Sequence, residues 1–381
     1  MSLTSKLPAV GTTIFSQMSQ LAAQQQAINL SQGFPDFAAS DVLINRLAHY
    51  ASHGYNQYAP MPGILPLREH IATLLQYCYG RSVCPQQEVT VTSGATEALL
   101  VAISAVVAAG DEVILFDPAY DSYAPAITLN GGKAVHIALQ APDYRVDWQQ
   151  VAQAITARTK LIIVNSPHNP SGMVFSNADW QALQSLVVNH NLYCISDEVY
   201  EHMVFDAAPR HSANSFAELA QRSFIVSSFG KTFHVTGWKL GYCVAPAALS
   251  SEFRKIHQYV TFSSFTPAQY AIADMLAEHR EQVLGLAAFY QQKRDSFAAL
   301  LAASRFRLLP CQGTYFQLVD YSALSKLDDV AFCRWLTIEH KVAAIPLSVF
   351  YQTPPDSRII RFCFAKQPAT LQAAAEVLCK L

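Results

Sequence analysis

The apolar residues of this chain fall mostly into short unbroken runs. Between residues 88 and 244 six of them recur: Val89-Thr90-Val91, Val113-Ile114-Leu115-Phe116, Leu161-Ile162-Ile163-Val164, Leu192-Tyr193-Cys194-Ile195, Phe224-Ile225-Val226 and Gly241-Tyr242-Cys243-Val244. Short apolar runs without sustained alternation predict strands covered on both faces. Helical stretches lie between several of them, at 96–109 and 180–187. Strand and helix taking turns in this way predict an α/β fold with a mainly parallel sheet. Towards the C-terminus the pattern changes. Helical stretches at 280–302, 330–340 and 370–381 surround short strand-like segments at 315–319 and 359–364, which predicts a separate α+β lobe.

In open α/β sheets ligands gather beyond the carboxyl ends of the strands. The polar residues that follow the apolar runs stand at those ends: 94–96, 117–120, 165–172, 197–200 and 227–231. Ser227-Ser228-Phe229-Gly230-Lys231 is the most informative of these. A lysine among small residues after a buried strand can reach a bound carbonyl and form a Schiff base. Lys239 adds a second cation, suited to a phosphate. Ser93-Gly94-Ala95-Thr96 opens a helix, whose free N–H groups suit an anion and equally suit an ordinary cap. Asp197 ends a buried run and needs a partner there, a pyridinium N–H or else an arginine or helix terminus. Tyr200 and Asn169 can each donate to a phenolate oxygen on the same ring, and the turn 168–172 can equally be a plain Asx turn. Arg361 lies in an apolar strand-like run, where it can clamp a carboxylate or serve a structural ion pair.

Composition narrows the class. Apolar residues make up 51% of the 381 and charged residues 14%, so much of the chain is buried. A net charge of −2 gives no electrostatic case for nucleic acid or an anionic membrane. No apolar run is long enough to span a membrane, and residues 1–8 lack the pattern of a signal peptide, so a cytoplasmic protein is expected. The eight cysteines are scattered singly; Cys78, Cys194, Cys243, Cys333 and Cys363 sit in apolar company and are expected as buried thiols. Ile225 stands where a P-loop needs glycine, and no Gly-x-Gly-x-x-Gly, Gly-x-Ser-x-Gly or His-Glu-x-x-His occurs. No metal site is expected.

Taken in order, Asn169-Pro170-Ser171-Gly172, Asp197-x-x-Tyr200, Ser228-x-x-Lys231 and Arg361 resemble the class I/II aminotransferases of pyridoxal-phosphate fold type I. The likeness runs from Gln32-Gly33-Phe34-Pro35-Asp36 to Arg361. Ser31–Phe37, Asn56-Gln57-Tyr58 and Asp121-Ser122-Tyr123 are similar to the branch holding kynurenine/glutamine and bacterial methionine aminotransferases. The resemblance implies a seven-stranded, mainly parallel sheet between helices plus a smaller α+β domain. Its expected divisions are an N-terminal segment (1–40) joining the small domain and covering the site, a large cofactor domain (41–275) and a small domain (276–381).

It also implies roles. Lys231 would carry pyridoxal 5'-phosphate covalently and then act as base and acid. Asp197 would pair with the ring nitrogen, Tyr200 and Asn169 would hold the ring oxygen, and Tyr120 would stack on the ring. Ala95, Thr96, Ser228 and Lys239 would bind the phosphate; many relatives have arginine at the last position, and lysine keeps the charge without the planar fork. Tyr58 would reach the phosphate of a neighbouring subunit, which implies a homodimer with shared sites. Arg361, Gly33 and Asn169 would hold the substrate carboxylate. Phe15, Tyr55 and Phe262 would stand near the side-chain pocket. With no second arginine at a matching place, the expected substrate is a large apolar or thioether amino acid, methionine ahead of aromatic ones, with a 2-oxo acid as acceptor. The alternatives are a β-lyase acting on cysteine conjugates or cystathionine, an acyl transferase of the α-oxoamine-synthase kind, and a non-catalytic cofactor-binding regulator, for which the chain has no room for a DNA-binding domain.

Overall fold

The computed structural model describes residues 4–381; residues 1–3 of the expected N-terminal segment lie outside the described residues. Seven strands form the main sheet, in the order Val89–Thr92, Gly241–Val244, Ser223–Ser228, Tyr193–Asp197, Thr159–Asn165, Glu112–Asp117, Lys133–Ala138. All neighbours are parallel except those of Gly241–Val244, which is antiparallel on both sides. Helices Gly94–Val106 and Ala247–Val260 contribute to an apolar layer with Val113, Ile163, Ile195 and Val226 on one face. Ile114, Ile162, Cys194 and Ile225 point into the second layer, with Trp180 and Leu183 of helix Asn177–Asn189. Burial on both faces explains why the central strands read as continuous apolar runs.

Six of the seven strands coincide with the expected runs. The seventh, Lys133–Ala138, is an edge strand with one neighbour and mixed exposure, so its polar Lys133 and His136 hide it from a search for apolar runs. The expected helix at 280–302 is two helices, Arg280–Leu284 and Leu286–Leu300, separated at Gly285. Cys78 is half-buried, whereas Cys194, Cys243, Cys333 and Cys363 are buried, and all eight cysteines are free thiols.

The C-terminal part carries a four-stranded antiparallel sheet, ordered Ile345–Pro346, Ile359–Cys363, Phe316–Asp320, Arg307–Leu308. The N-terminal segment joins it through a parallel pairing of Ile28–Asn29 with Val342–Ala343. Leu30 continues that contact: its N–H donates to Ala343 O, and its carbonyl accepts from Cys363 N. Residues 31–34 therefore lie between the two sheets. No helix among the described residues is long and apolar enough to cross a membrane.

Candidate active site

The carboxyl ends of the main-sheet strands, the loop 31–34 and the strand Ile359–Cys363 enclose a cavity of about 220 Å³. Its walls bring together Phe15, Gly33, Ala95, Thr96, Tyr120, Asn169, Asp197, Tyr200, Ser228, Lys231, Lys239 and Arg361, twelve of the fifteen predicted site residues. They come from sequence positions far apart, and the strand register explains the convergence. Asn165 is the register partner of Asp197 and Asp197 that of Val226, so neighbouring strands end at one level.

Asp197 occupies the floor, 3% exposed. It accepts a 2.5 Å hydrogen bond from Tyr123 Oη and a longer one, 3.3 Å, from Val199 N. Burial nonetheless pushes its carboxyl up to about 6, because these donors and the nearby Lys231 compensate the lost water only in part. The partner expected for it from within the chain is thus neither an arginine nor a helix end but a tyrosine. An ionised Asp197 still favours a further positive or N–H-bearing group.

Lys231 follows the strand Ser223–Ser228 in a single helical turn, Phe229–Thr232. Burial lowers its amine to about 8, within reach of the free-base form near neutrality. Its Nζ donates to Tyr315 Oη at 2.8 Å and to Gly33 O at 3.3 Å. The anion end lies at the N-terminus of helix Gly94–Val106, where Ala95 and Thr96 present N–H groups without an intrahelical partner. Lys239, in a left-handed conformation (φ 51°), brings its side chain close to Gly94: a Cβ placed there would lie 3.5 Å from Lys239 Nζ. Thr96 and Tyr120 hydroxyls are 3.4 Å apart on the same side.

Arg361 is 1% exposed, with its guanidinium over Phe316, 3.9 Å from the ring centroid. One Nη donates to Asn169 Oδ1 at 2.8 Å and the other to Ser31 O at 3.1 Å, while its buried Nε has no partner in the protein. A buried guanidinium without a carboxylate is an incomplete ion pair, and a bound carboxylate completes it. Asn169 is held from two sides, since its N–H donates to Asn165 Oδ1 at 2.8 Å. Its side-chain oxygen is used by Arg361, which leaves its amide N–H₂ to donate elsewhere.

Tyr58 and Phe262 are not brought to this cavity. They stand together on the surface, 83% and 45% exposed, with rings edge to face at 5.3 Å. Phe262 follows helix Ala247–Val260 at φ 68°, which turns it outward. Tyr55 packs on Tyr50 and Tyr270 instead. The pattern of the sequence did not single out Tyr315, Phe316 or the role of Tyr123, because an aromatic residue in apolar company is indistinguishable from core. Lys366 was missed too; buried, it donates to Phe34 O at 2.8 Å and to Gln32 O at 3.5 Å and so anchors the loop around Gly33.

The arrangement gathers an amine, a buried carboxylate, an anion cradle and a guanidinium around one cavity. Comparison with known proteins agrees with that chemistry. The family model for class I and II aminotransferases matches residues 25–378. The chain is 57% identical, over 99% of its own length and 98% of the relative's, to a methionine aminotransferase of Escherichia coli. The crystal structure of YbdL from Escherichia coli, described as having a methionine aminotransferase function, superposes over the whole of both chains with a TM-score of 0.98 and 57% identity. The human kynurenine–oxoglutarate transaminase 1 is 33% identical over 95% of this chain and 94% of its own.

Proposed function

The chain belongs to the class I and II aminotransferases, and from that premise we propose that it uses pyridoxal 5'-phosphate to move the amino group of L-methionine, or another large apolar amino acid, to a 2-oxo acid. The substrate class is supported by one observation above all. Arg361 is the only arginine among the described residues lining the cavity, so one carboxylate is provided for and a second is not. The remaining walls near it, Phe15 and Phe316, are apolar and suit a thioether or aromatic side chain. The 57% identity to a methionine aminotransferase favours the thioether.

The residues fit the cofactor by charge. Asp197 is a buried carboxylate that Lys231 compensates only from a distance, which suits it to a protonated ring nitrogen in contact. The helix N-terminus at Ala95 and Thr96, with Ser228 and Lys239, is an anion cradle at the other end of the same cavity. Lys231 lines the same cavity. When bound, the pyridoxal ring withdraws electrons from the substrate Cα and so makes its proton removable.

The protein's own residues do the rest. Lys231 Nζ would hold the cofactor and, as a free amine, would take the Cα proton; an amine lowered to about 8 is suited to both taking and returning a proton. Asp197 would keep the ring nitrogen protonated by its negative charge. Tyr200 and the free amide N–H₂ of Asn169 would hold the ring oxygen, and Tyr120 would lie against the ring. Arg361 orients the substrate carboxylate with the Gly33 backbone.

The exposed aromatics Tyr58, Tyr259, Phe262 and Phe265 form an apolar surface suited to a second copy of the chain. In a homodimer Tyr58 and Phe262 would complete the neighbour's phosphate and side-chain sites. We take residues 41–275 and 276–381 as its two domains, with 1–40 docked on the second, and the cytoplasm as its compartment.

The test is the visible absorption of purified protein loaded with pyridoxal 5'-phosphate. Bleaching by L-methionine and recovery on adding a 2-oxo acid is the expected result. A spectrum indifferent to methionine but responsive to another amino acid would move the substrate, and release of ammonia without an acceptor would move the reaction to elimination.

A further inference from the structure

Tyr315 stands outside the cavity wall yet touches its amine. It is fully buried, with its ring set edge to face against Tyr200 and Phe316 at 5.2 and 4.8 Å and tilted against Tyr290 at 5.5 Å. Its hydroxyl lies 2.6 Å from Gly33 O and 2.8 Å from Lys231 Nζ. A phenol has a single hydrogen, and a carbonyl has none, so that hydrogen is committed to Gly33. Towards Lys231 the hydroxyl can only accept. Gly33 O accepts from the same Nζ at 3.3 Å. Two oxygens therefore take two of the three Nζ positions and leave the third.

Both oxygens are fixed in place. A Cβ on residue 33 would stand 2.8 Å from Phe316 Cζ, so the loop lies against the aromatic pair more closely than any other residue type permits. Lys366 ties the carbonyls on either side of Gly33. Acceptors that do not move hold an amine in one orientation at little cost in reorganisation.

We propose that Tyr315, with the Gly33 carbonyl, is a docking point for the free Lys231 amine, leaving its lone pair or third proton facing the cavity. This rests on the reading of Lys231 as the reacting amine. Tyr315 is then a positioning residue: no proton passes to or from its oxygen, and its one O–H stays on Gly33. An N–H of an ammonium makes a stronger bond to these oxygens than one of a neutral amine, so the pair also favours the charged form. Of the other titratable groups that face the amine, Asp197 favours its charge, Arg361 and Lys239 oppose it, and Tyr200 and the Cys363 thiol, both pushed up by burial, are uncharged near neutrality.

Tyr315→Phe tests the proposal, because it keeps the ring and removes only the acceptor. Competitive acetylation of the cofactor-free protein across pH, read on the Lys231 peptide by mass spectrometry, reports the amine directly. The apparent pKa of Lys231 is expected to fall by roughly half a unit to one unit. In the loaded enzyme kcat is expected to fall about tenfold, with KM for the amino acid changed less than about twofold. Tyr290→Phe is the control, since it removes a buried hydroxyl that has no hydrogen-bond partner and keeps the ring that packs on Tyr315. An unaltered Lys231 titration in Tyr315→Phe overturns the proposal, and so does an equal change in Tyr290→Phe. Turnover in Lys231→Ala would instead overturn the reading of Lys231, while the titration of Tyr315→Phe would still report whether the two side chains are coupled.

Discussion

The two walls of the cavity are built in different ways. The wall that carries Asp197, Asn165 and Ser228 belongs to one sheet, and its side chains are placed by strand register: Asn165 faces Asp197 across the ladder and donates to its carbonyl at 2.9 Å. The opposite wall carries Arg361, whose guanidinium reaches Asn169 and Ser31, 192 and 330 residues away in sequence. The first wall holds charge against burial, with Asp197 pushed up and Lys231 pushed down. The second offers a buried cation whose Nε is unpaired. A site split this way can keep one group permanently on the sheet and exchange another at the far wall.

That division makes the walls separable by mutation. The largest effect belongs to the sheet wall. Lys231→Ala is expected to lower turnover by about a thousandfold or more while leaving a folded protein, as measured by kcat and circular dichroism. Next comes the opposite wall. Arg361→Met removes the carboxylate clamp, which is worth about 2–3 kcal/mol, or roughly 30- to 150-fold in kcat/KM. Cofactor loading should be unchanged in that variant. If Arg361→Met also loses its cofactor, the two walls are one unit and the division is wrong.

Asp197 gives the third test, through stability. Its pKa is raised by folding, from an ordinary 3.8 to about 6. A carboxyl of this kind stabilises the fold fully when protonated, below about pH 4, and loses that contribution as the pH rises through 6. At pH 8 the ionised group costs the cofactor-free fold on the order of 2–3 kcal/mol. Asp197→Asn is therefore expected to melt higher than the parent at pH 8, and the two curves should converge near pH 4. Parallel curves at both pH values would mean that Tyr123 and Val199 already satisfy the charge. The smallest expected effect is that of Lys366→Met. Loosening the loop at Gly33 should raise KM for the amino acid about three- to tenfold and lower kcat by a smaller factor, since the loop carries both a substrate contact and the carbonyl that holds Lys231, and two charge-assisted hydrogen bonds to carbonyls are at stake.

How far each wall was legible follows from the same contrast. A carboxylate or a lysine that ends an apolar run is conspicuous, because charge is expensive inside a sheet. Asp197 and Lys231 stand out for that reason. Arg361 is conspicuous within Ile359–Cys363 for the same reason, although its partners are not. The roles of Tyr123 and Tyr315 are silent in the sequence: tyrosine is common in cores, and nothing local tells a packed ring from one whose hydroxyl supports a charged group. Phe262, expected at the side-chain pocket, stands on the surface of its own chain, 45% exposed, because the turn that carries it points outward.

By itself, then, the sequence determined the alternation of strand and helix, the buried sheet and the charged residues at its carboxyl ends, since each follows from local pattern and from the cost of burying charge. Only the tertiary structure decided which groups answer those charges. The Gly33 carbonyl meets the Tyr315 hydroxyl across 282 residues, and a hydrogen bond depends on distance and angle in space, of which separation along the chain carries no record.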